Sequence, residues 1–253
     1  MSETIQAWSP SLLQVFEECR YRAFLRAVKK IPEPERPPLP NGKEYPNDRG
    51  SRVHDEAEAY VRGDGPLTKE LVPFAESFIA LRDIFDDGDA ILEDLWCFDE
   101  DWELVPKTDS GKHQWWKHWA RIKIDFLGFL EPHRALVIDY KTGKKIGNEI
   151  KHGDQVFIYA VATLMLYPEV EEVTVELWYL DQGELTQKTY TRTKVMRFLR
   201  SLERRALNVT TTTDFTPDPS ARNCKFCPYK TGMVGRQFEG TGHCDANLEA
   251  ERK

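Results

Sequence analysis

An aspartate and a lysine separated by one residue are the sharpest chemical signal in the sequence. They end the apolar segment Val137-Ile138-Asp139-Tyr140-Lys141. Because side chains alternate between the two faces of a β-strand, Asp139 and Lys141 point to the same side. A carboxylate there can bind a hard divalent cation, and a neighbouring ammonium group can stabilise negative charge on a phosphate. A simple salt bridge at the end of a strand is the alternative interpretation of such a pair.

A second acid, Asp125, follows the alternating segment Arg121-Ile122-Lys123-Ile124. Neighbouring strands of a sheet can bring its carboxylate close to that of Asp139. Hydrolysis of a phosphodiester needs an activated water and relief of charge on the phosphate, and a divalent cation provides both. The two acids therefore indicate a Mg²⁺ or Mn²⁺ site.

The periodicity of apolar residues favours an α/β fold with a central mixed sheet around these acids. Helical spacing predicts one helix from Ser9 to Val28 that carries Cys19. Further helices are predicted over 50–61, 70–84, 154–166 and 193–207. Prolines between 31 and 46 exclude a helix interior there. Strands are predicted over 90–98, 102–105, 120–130 and 134–140, with a hairpin formed by 173–180 and 184–190.

Composition limits the classes of partner. The 253 residues carry a formal charge of −7, which by itself argues against nucleic acid. Basic residues cluster, however, between Arg20 and Lys30 and between Arg192 and Arg205, and can form a local track for phosphates. No apolar stretch approaches the roughly 20 residues that cross a bilayer, and the first residues do not resemble a signal peptide. These features predict a cytoplasmic protein without membrane association.

Four motifs then follow one another in a recognisable order. They are Gly50-Ser51-Arg52-Val53-His54, Asp125, Asp139-Tyr140-Lys141 and Gln155-Val156-Phe157-Ile158-Tyr159. This series resembles the PD-(D/E)XK nuclease superfamily, specifically its RecB-like exonuclease branch, which includes the iron-sulfur nucleases of CRISPR adaptation. The resemblance implies a restriction-endonuclease-like core. It also implies an N-terminal helical section (1–89), the nuclease core (90–209) and a C-terminal cysteine segment (210–253) that packs on the first helix.

The resemblance implies a role for each motif residue. The implied ligands of Mg²⁺ or Mn²⁺ are His54, Asp125, Asp139 and the main-chain carbonyl of Tyr140. The implied catalytic residues are Lys141, Asp125, Asp139, Gln155 and Tyr159, the last two positioning DNA or the lysine. The sequence departs from the family at Ile122, where a glycine is usual. Glu93 is a possible auxiliary acid, although a solvated role suits its acidic surroundings equally well.

Four of the five cysteines match a second feature of that branch, a [4Fe-4S] cluster held by one N-terminal and three C-terminal cysteines. They are Cys19, Cys224, Cys227 and Cys244. Tetrahedral Zn²⁺ is the alternative, since four thiolates suit either group. Sixteen residues separate Cys227 from Cys244, a longer gap than is usual in the family, so His243 is an alternative fourth ligand in a zinc site. Cys97 is expected simply to be buried.

The sequence therefore predicts a metal-dependent DNA exonuclease that acts on single-stranded ends. We expect a role in replication, repair, recombination or phage DNA processing, with replication or recombination proteins as possible partners. A structure-selective endonuclease with the same site is the first alternative. A non-cleaving DNA-end-binding subunit of a helicase-nuclease assembly is the second. Trp115, Trp116 and Trp119 are candidates for stacking on bases, or for the core.

Overall fold

The computed structural model of the protein describes residues 3–143, 145–147, 149–235 and 237–250. The helices are α1 (Pro10–Glu18), α2 (Arg20–Ala27), α3 (Pro46–Arg62), α4 (Ala75–Asp86), α5 (Glu149–Leu166), α6 (Arg192–Thr211), α7 (Ala221–Lys225) and α8 (Asn247–Ala250). The strands are β1 (Ala90–Leu92), β2 (Leu95–Phe98), β3 (Ala120–Lys123), β4 (Phe126–Glu131), β5 (Arg134–Lys141), β6 (Glu172–Tyr179), β7 (Glu184–Thr191), β8 (Met233–Val234) and β9 (Phe238–Glu239). Short 3₁₀ turns occupy Pro40–Gly42, Val72–Phe74 and Trp115–Lys117.

The chain packs into two compact units. One combines residues 1–43 with 203–253, and the other comprises residues 44–202. The three-part division at 89/90 and 209/210 remains a prediction. None of the described helices is both long and apolar enough to cross a bilayer.

The larger unit is built on a five-stranded sheet in the order β1-β4-β5-β6-β7. Only the β5–β6 pair is parallel, and α5 provides the crossover that a parallel pair requires. The other pairs are antiparallel, including the β6–β7 hairpin. The predicted α/β fold with a central mixed sheet and flanking helices is therefore confirmed.

Two predicted strands are each divided in the structure. Residues 90–98 form β1 and β2, and residues 120–130 belong to β3 and β4. In each case the two segments lie in different sheets, since β1 and β4 belong to the five-stranded sheet whereas β2 and β3 form a separate two-stranded sheet. The predicted strand over 102–105 is wrong, since that stretch contributes only an isolated bridge from Leu104 to Phe98. The breaks fall at Glu93-Asp94 and Ile124-Asp125, where Glu93 adopts a φ of +49°.

Helix α3 begins and ends where its sequence dictates. Pro46 occupies the first turn, where its missing N–H is not needed, and Gly63 ends the helix with a φ of +81°. Val53, Ala57 and Val61 recur every fourth residue and are buried. This apolar face packs into the same core cluster as Phe78 of α4. The same cluster includes Tyr140, which lies between Asp139 and Lys141 in the sequence.

The single helix predicted from Ser9 to Val28 is wrong, because this segment of the smaller unit forms two helices, α1 and α2. Cys19 adopts an extended conformation, with a φ of −161° and a ψ of 108°, and separates α1 from α2. The Asn223 side chain donates a hydrogen bond of 2.7 Å to the carbonyl of Glu18 at this break. The interruption thus satisfies a helix-end carbonyl with a residue of the C-terminal segment.

The predicted basic helix forms, but its first arginine is not available for phosphates. The Arg192 guanidinium donates to the carbonyls of Leu164, Tyr167, Pro168 and Val170 at distances of 2.6–3.1 Å. These bonds satisfy carbonyls at and beyond the end of α5. Lys194, Arg197 and Arg200 remain exposed on the same helix.

Core packing next to Tyr140 is open to a direct test with two adjacent residues of α4. Phe78 is fully buried against Tyr140 and Trp178, whereas Ile79 is 51% exposed. We expect Phe78→Ala to lower the free energy of unfolding by about 3–5 kcal/mol because it leaves a cavity. Ile79→Ala is expected to cost less than about 1 kcal/mol. Urea denaturation of both variants measures the difference, and equal costs would contradict the described core.

Candidate functional site

His54, Asp125 and Tyr140 meet at one end of the central sheet of the larger unit. The Nε2 atom of His54 lies 2.9 Å from the main-chain oxygen of Tyr140, and its Nδ1 atom lies 3.2 Å from Oδ1 of Asp125. The second carboxylate oxygen of Asp125 accepts a 2.9 Å hydrogen bond from the Tyr140 N–H. Helix α3, the β3–β4 break and strand β5 therefore converge on a carboxylate that is only 7% exposed.

Glu93 joins this group from the break between β1 and β2. Its Oε1 atom lies 3.8 Å from Nδ1 of His54, and its main-chain N–H donates a 3.0 Å bond to the carbonyl of Asp125. The carboxylate is 9% exposed and also pairs with Lys123. The solvated role considered from the sequence is therefore wrong, and the role of Glu93 as an auxiliary acid of the site remains a prediction. The signal in the sequence is an acid that separates two short apolar segments, but the surrounding acidic run obscures it.

Asp139 and Lys141 lie on the same side of β5, as predicted from the strand periodicity. The Lys141 Nζ atom is 2.5 Å from Oδ2 of Asp139. Oδ1 of Asp139 accepts hydrogen bonds from the Tyr159 hydroxyl at 2.7 Å and from Nε2 of Gln155 at 3.0 Å. Oε1 of Gln155 accepts a 2.8 Å bond from Lys141. Helix α5 thus fixes both the acid and the lysine.

The α3 helix is fastened to this edge of the sheet by Arg49. Its guanidinium forms a two-pronged ion pair with Asp181, at 2.6 and 2.9 Å, and donates to the carbonyl of Thr142. The neighbouring Gly50 lies against Thr142, and an added Cβ would meet Oγ1 of Thr142 at an ordinary 3.5 Å. Gly50, the first residue of the Gly50–His54 motif, is therefore the point at which α3 contacts Thr142, the residue that follows β5.

Buried negative charge controls the ionisation of the site. Burial opposes the charged form of His54, but the bond and charge of Asp125, with Asp139 and Glu93, outweigh it and raise the pKa of His54 to about 9. Burial and the charge of Asp139 raise the pKa of Asp125. Burial raises the pKa of Glu93 as well, against the opposing pull of Lys123. The cluster therefore favours an added positive charge, whether a proton or a cation.

The structure gathers all the motif residues at this end of the sheet, in two linked groups. The ligand atoms of His54, Glu93 and Asp125 lie within 4.8 Å of one another and could hold one cation. Asp139 belongs to the neighbouring network with Lys141, Gln155 and Tyr159. Tyr140 connects the groups, since it follows Asp139 and bonds both His54 and Asp125 through its backbone.

The smaller unit contains a cavity lined by cysteines from both ends of the chain. The four sulfur-bearing residues in its wall are Cys19, Cys224, Cys227 and Cys244, all with free thiols. Arg22 and Lys230 lie in the same wall. Burial raises the pKa of both Cys227 and Cys244. His243, the alternative fourth ligand, is exposed, does not line the cavity and has its Nδ1 atom 2.8 Å from the Thr241 hydroxyl.

The three candidate stacking tryptophans differ in exposure. Trp119 is buried and packs edge-on against Trp102, so it belongs to the core. Trp115 is partly covered by the Arg121 guanidinium, 4.9 Å from its ring centre. Trp116 is 70% exposed. Of the three, Trp116 alone offers most of its ring to solvent.

Comparison with known proteins gives the family. The model of the PD-(D/E)XK nuclease superfamily matches residues 7–231. The crystal structure of SSO0001 is 14% identical with a TM-score of 0.38, over 88% of this chain and 83% of that chain. An alkaline exonuclease (LHK-Exo) from Laribacter hongkongensis is 12% identical with a TM-score of 0.25, over 80% of this chain and 91% of that chain. No curated protein matches the sequence.

The family match includes the segment from Gly50 to Tyr159, which holds the whole motif series. It also extends over most of both compact units. The converging acids, the Asp139–Lys141 pair and the mixed sheet are the features expected of that family. The chain belongs to the PD-(D/E)XK nuclease superfamily.

Proposed function

We propose that the protein is a Mg²⁺- or Mn²⁺-dependent DNA exonuclease that acts on single-stranded ends. The observation that carries this proposal is the meeting of buried carboxylates, His54 and Lys141 at one end of the mixed sheet. The position of these residues along the chain agrees with the RecB-like branch of the superfamily.

His54, Asp125 and Glu93 are the side chains proposed to hold the cation, together with the main-chain oxygen of Tyr140. Carboxylate and carbonyl oxygens are suitable ligands for Mg²⁺ and Mn²⁺. The donors fit a cation because their ligand atoms already converge and because the carboxylates are buried close to one another. Asp139 is proposed as a further ligand, although its carboxylate is held by Lys141, Gln155 and Tyr159 in the described form.

The bound cation would activate a water molecule and relieve charge on the scissile phosphate. Lys141 is proposed to orient that water and to stabilise negative charge as the phosphate is attacked. Gln155 positions the lysine by accepting its hydrogen bond while it donates another to Asp139. Tyr159 supports the same acid from a fully buried position.

The exposed cations of α6 and the ring of Trp116 support a nucleic-acid substrate. Lys194, Arg197 and Arg200 form a local basic surface that can contact phosphates, although the protein as a whole is acidic. Trp116 can stack on an unpaired base. We place the enzyme in replication, repair, recombination or phage DNA processing in the cytoplasm, with proteins of those processes as partners.

We further propose that the four-cysteine cavity holds a [4Fe-4S] cluster. Arg22 and Lys230 in its wall can stabilise thiolate ligands. The lining residues favour Cys244 over His243 as the fourth ligand. Zn²⁺ is the alternative occupant, since four thiolates suit either group.

The nuclease proposal is tested with end-labelled linear and closed circular single-stranded DNA in Mg²⁺ or Mn²⁺. We expect loss of the linear substrate alone. Asp139→Ala and Lys141→Ala should each lower the rate by at least about 100-fold, because they remove groups that stabilise the transition state. Lys145→Ala is the matched control, since Lys145 pairs with Glu184 outside the network and its loss should preserve the rate.

Cleavage of the circle, abolished by the same variants, would replace the exonuclease with a structure-selective endonuclease. A folded protein that binds DNA ends but cleaves neither substrate with either metal would be a DNA-end-binding subunit. Circular dichroism of each variant separates loss of chemistry from loss of fold.

Metal binding should depend on pH through His54. Its pKa of about 9 in the metal-free protein means that a proton occupies the imidazole below that pH. A cation must displace this proton, so Mn²⁺ affinity should rise as the pH increases from 6 toward 9. His54→Gln should bind Mn²⁺ more weakly and with a shallower pH dependence. Isothermal titration calorimetry in buffers of different ionisation enthalpy measures the proton release, and equal slopes in both proteins would contradict this assignment.

The cysteine cavity gives a separate prediction for protein purified without oxygen. We expect iron and sulfide in equal amounts and broad visible absorption in the wild type, and loss of both in Cys224→Ser because the cluster loses a thiolate. His243→Gln is the matched control and should keep the iron, since His243 is exposed and does not line the cavity. Colourless protein whose zinc content falls in Cys224→Ser would instead identify a zinc site.

A further inference from the structure

A second group of metal-binding side chains lies in the larger unit at the small β2–β3 sheet. Cys97 belongs to β2, whereas His113 and His118 belong to the long connection from β2 to β3. Their ligand atoms lie within 4.8 Å of one another, and the sulfur of Cys97 is 3.6 Å from Nδ1 of His113. The group shares no residue with the carboxylate cluster or the four-cysteine cavity.

The backbone of the connection brings the three residues together. The Val105 N–H donates to the carbonyl of Cys97 at 2.8 Å, and the Trp119 N–H donates to the carbonyl of Phe98 at 2.7 Å. These two hydrogen bonds hold the connection against β2 at Val105 and again at Trp119. The 3₁₀ turn Trp115–Lys117 then separates the two histidines.

His118 supplies an independent sign of a missing ligand. It is only 2% exposed, and neither ring nitrogen has a hydrogen-bond partner. A neutral imidazole carries one N–H donor and one acceptor, so this burial leaves both polar groups unsatisfied, which destabilises the folded state. Coordination of a metal by one nitrogen would remove part of that destabilisation.

We propose that Cys97, His113 and His118 form a binding site for one Zn²⁺ ion. A sulfur at about 2.3 Å and a nitrogen at about 2.05 Å from tetrahedral zinc lie about 3.6 Å apart, which is the Cys97–His113 separation in the structure. One thiolate and two imidazoles suit zinc rather than Mg²⁺ or Mn²⁺. Four residues separate His113 from His118, a spacing common in zinc sites.

Three protein ligands would leave a fourth position on the ion for water. The ion would join β2 to the middle and the end of a connection that is otherwise described by turns, one isolated bridge at Leu104 and the 3₁₀ turn. It thereby orders the segment that carries exposed Trp116, next to the ligands. Zinc binding at this site therefore stabilises a surface loop.

The test counts zinc in the full-length protein after equilibration with zinc and dialysis against a weak chelator. Cys97→Ser and His113→Gln should each retain one equivalent less than the wild type. His133→Gln is the matched control, because His133 bonds the carbonyl of Glu169 elsewhere in the same unit. Zinc bound at other sites is the same in all four proteins, so only the difference matters. Equal zinc content in wild type and His113→Gln would overturn the proposal.

Folding of each variant is checked by circular dichroism, and His113→Gln decides the matter where the buried Cys97→Ser does not fold. The wild type provides a second measurement that needs no substitution. Chelation of zinc should accelerate tryptic cleavage after Lys112 and Lys117, which are exposed in the loop. An unchanged cleavage rate would overturn the proposed ordering of the loop by zinc.

Discussion

The carboxylate of Asp125 is the group on which the arrangement of the site depends. One oxygen accepts the Tyr140 N–H and the other faces His54, while the residue's own carbonyl accepts the Glu93 N–H. A single buried residue thus contacts three other segments of the chain through its side chain and its carbonyl. A buried carboxylate without partners would destabilise the folded state. Loss of one of these contacts would therefore weaken the others.

The grouping of His54, Gln155 and Tyr159 with the Asp139–Lys141 pair was implied by the resemblance to a known family, since no local pattern assigns it. The position of Asp139 and Lys141 on one face follows from strand periodicity alone. Glu93 could not be assigned in the same way, since its burial depends on two strands breaking at facing positions and exchanging sheets. Likewise, the break at Cys19 lies within an apolar pattern that reads as one helix, and the hydrogen bond from Asn223 to Glu18 that accompanies it spans most of the chain.

The sequence alone also does not show which basic side chains are available to bind phosphates. A run of arginines predicts a surface for phosphates only where the guanidinium groups have no closer acceptors. Arg192 binds four carbonyls, and Arg205 forms a two-pronged pair with Glu17, so neither serves the predicted track. Lys194, Arg197 and Arg200 remain exposed. The positive charge left exposed on α6 is therefore smaller than the count of basic residues in the sequence.

Positive groups of the protein itself lie against each of the buried acids of the site. The His54 ring spans the Tyr140 carbonyl and the Asp125 carboxylate, two of the groups proposed to hold the metal. A proton on that ring supplies positive charge in the same place, while Lys123 and Lys141 pair with Glu93 and Asp139. The protein's own positive groups thus balance the buried carboxylates in the described form. Under the proposed function, metal binding would exchange the proton on His54 for a cation.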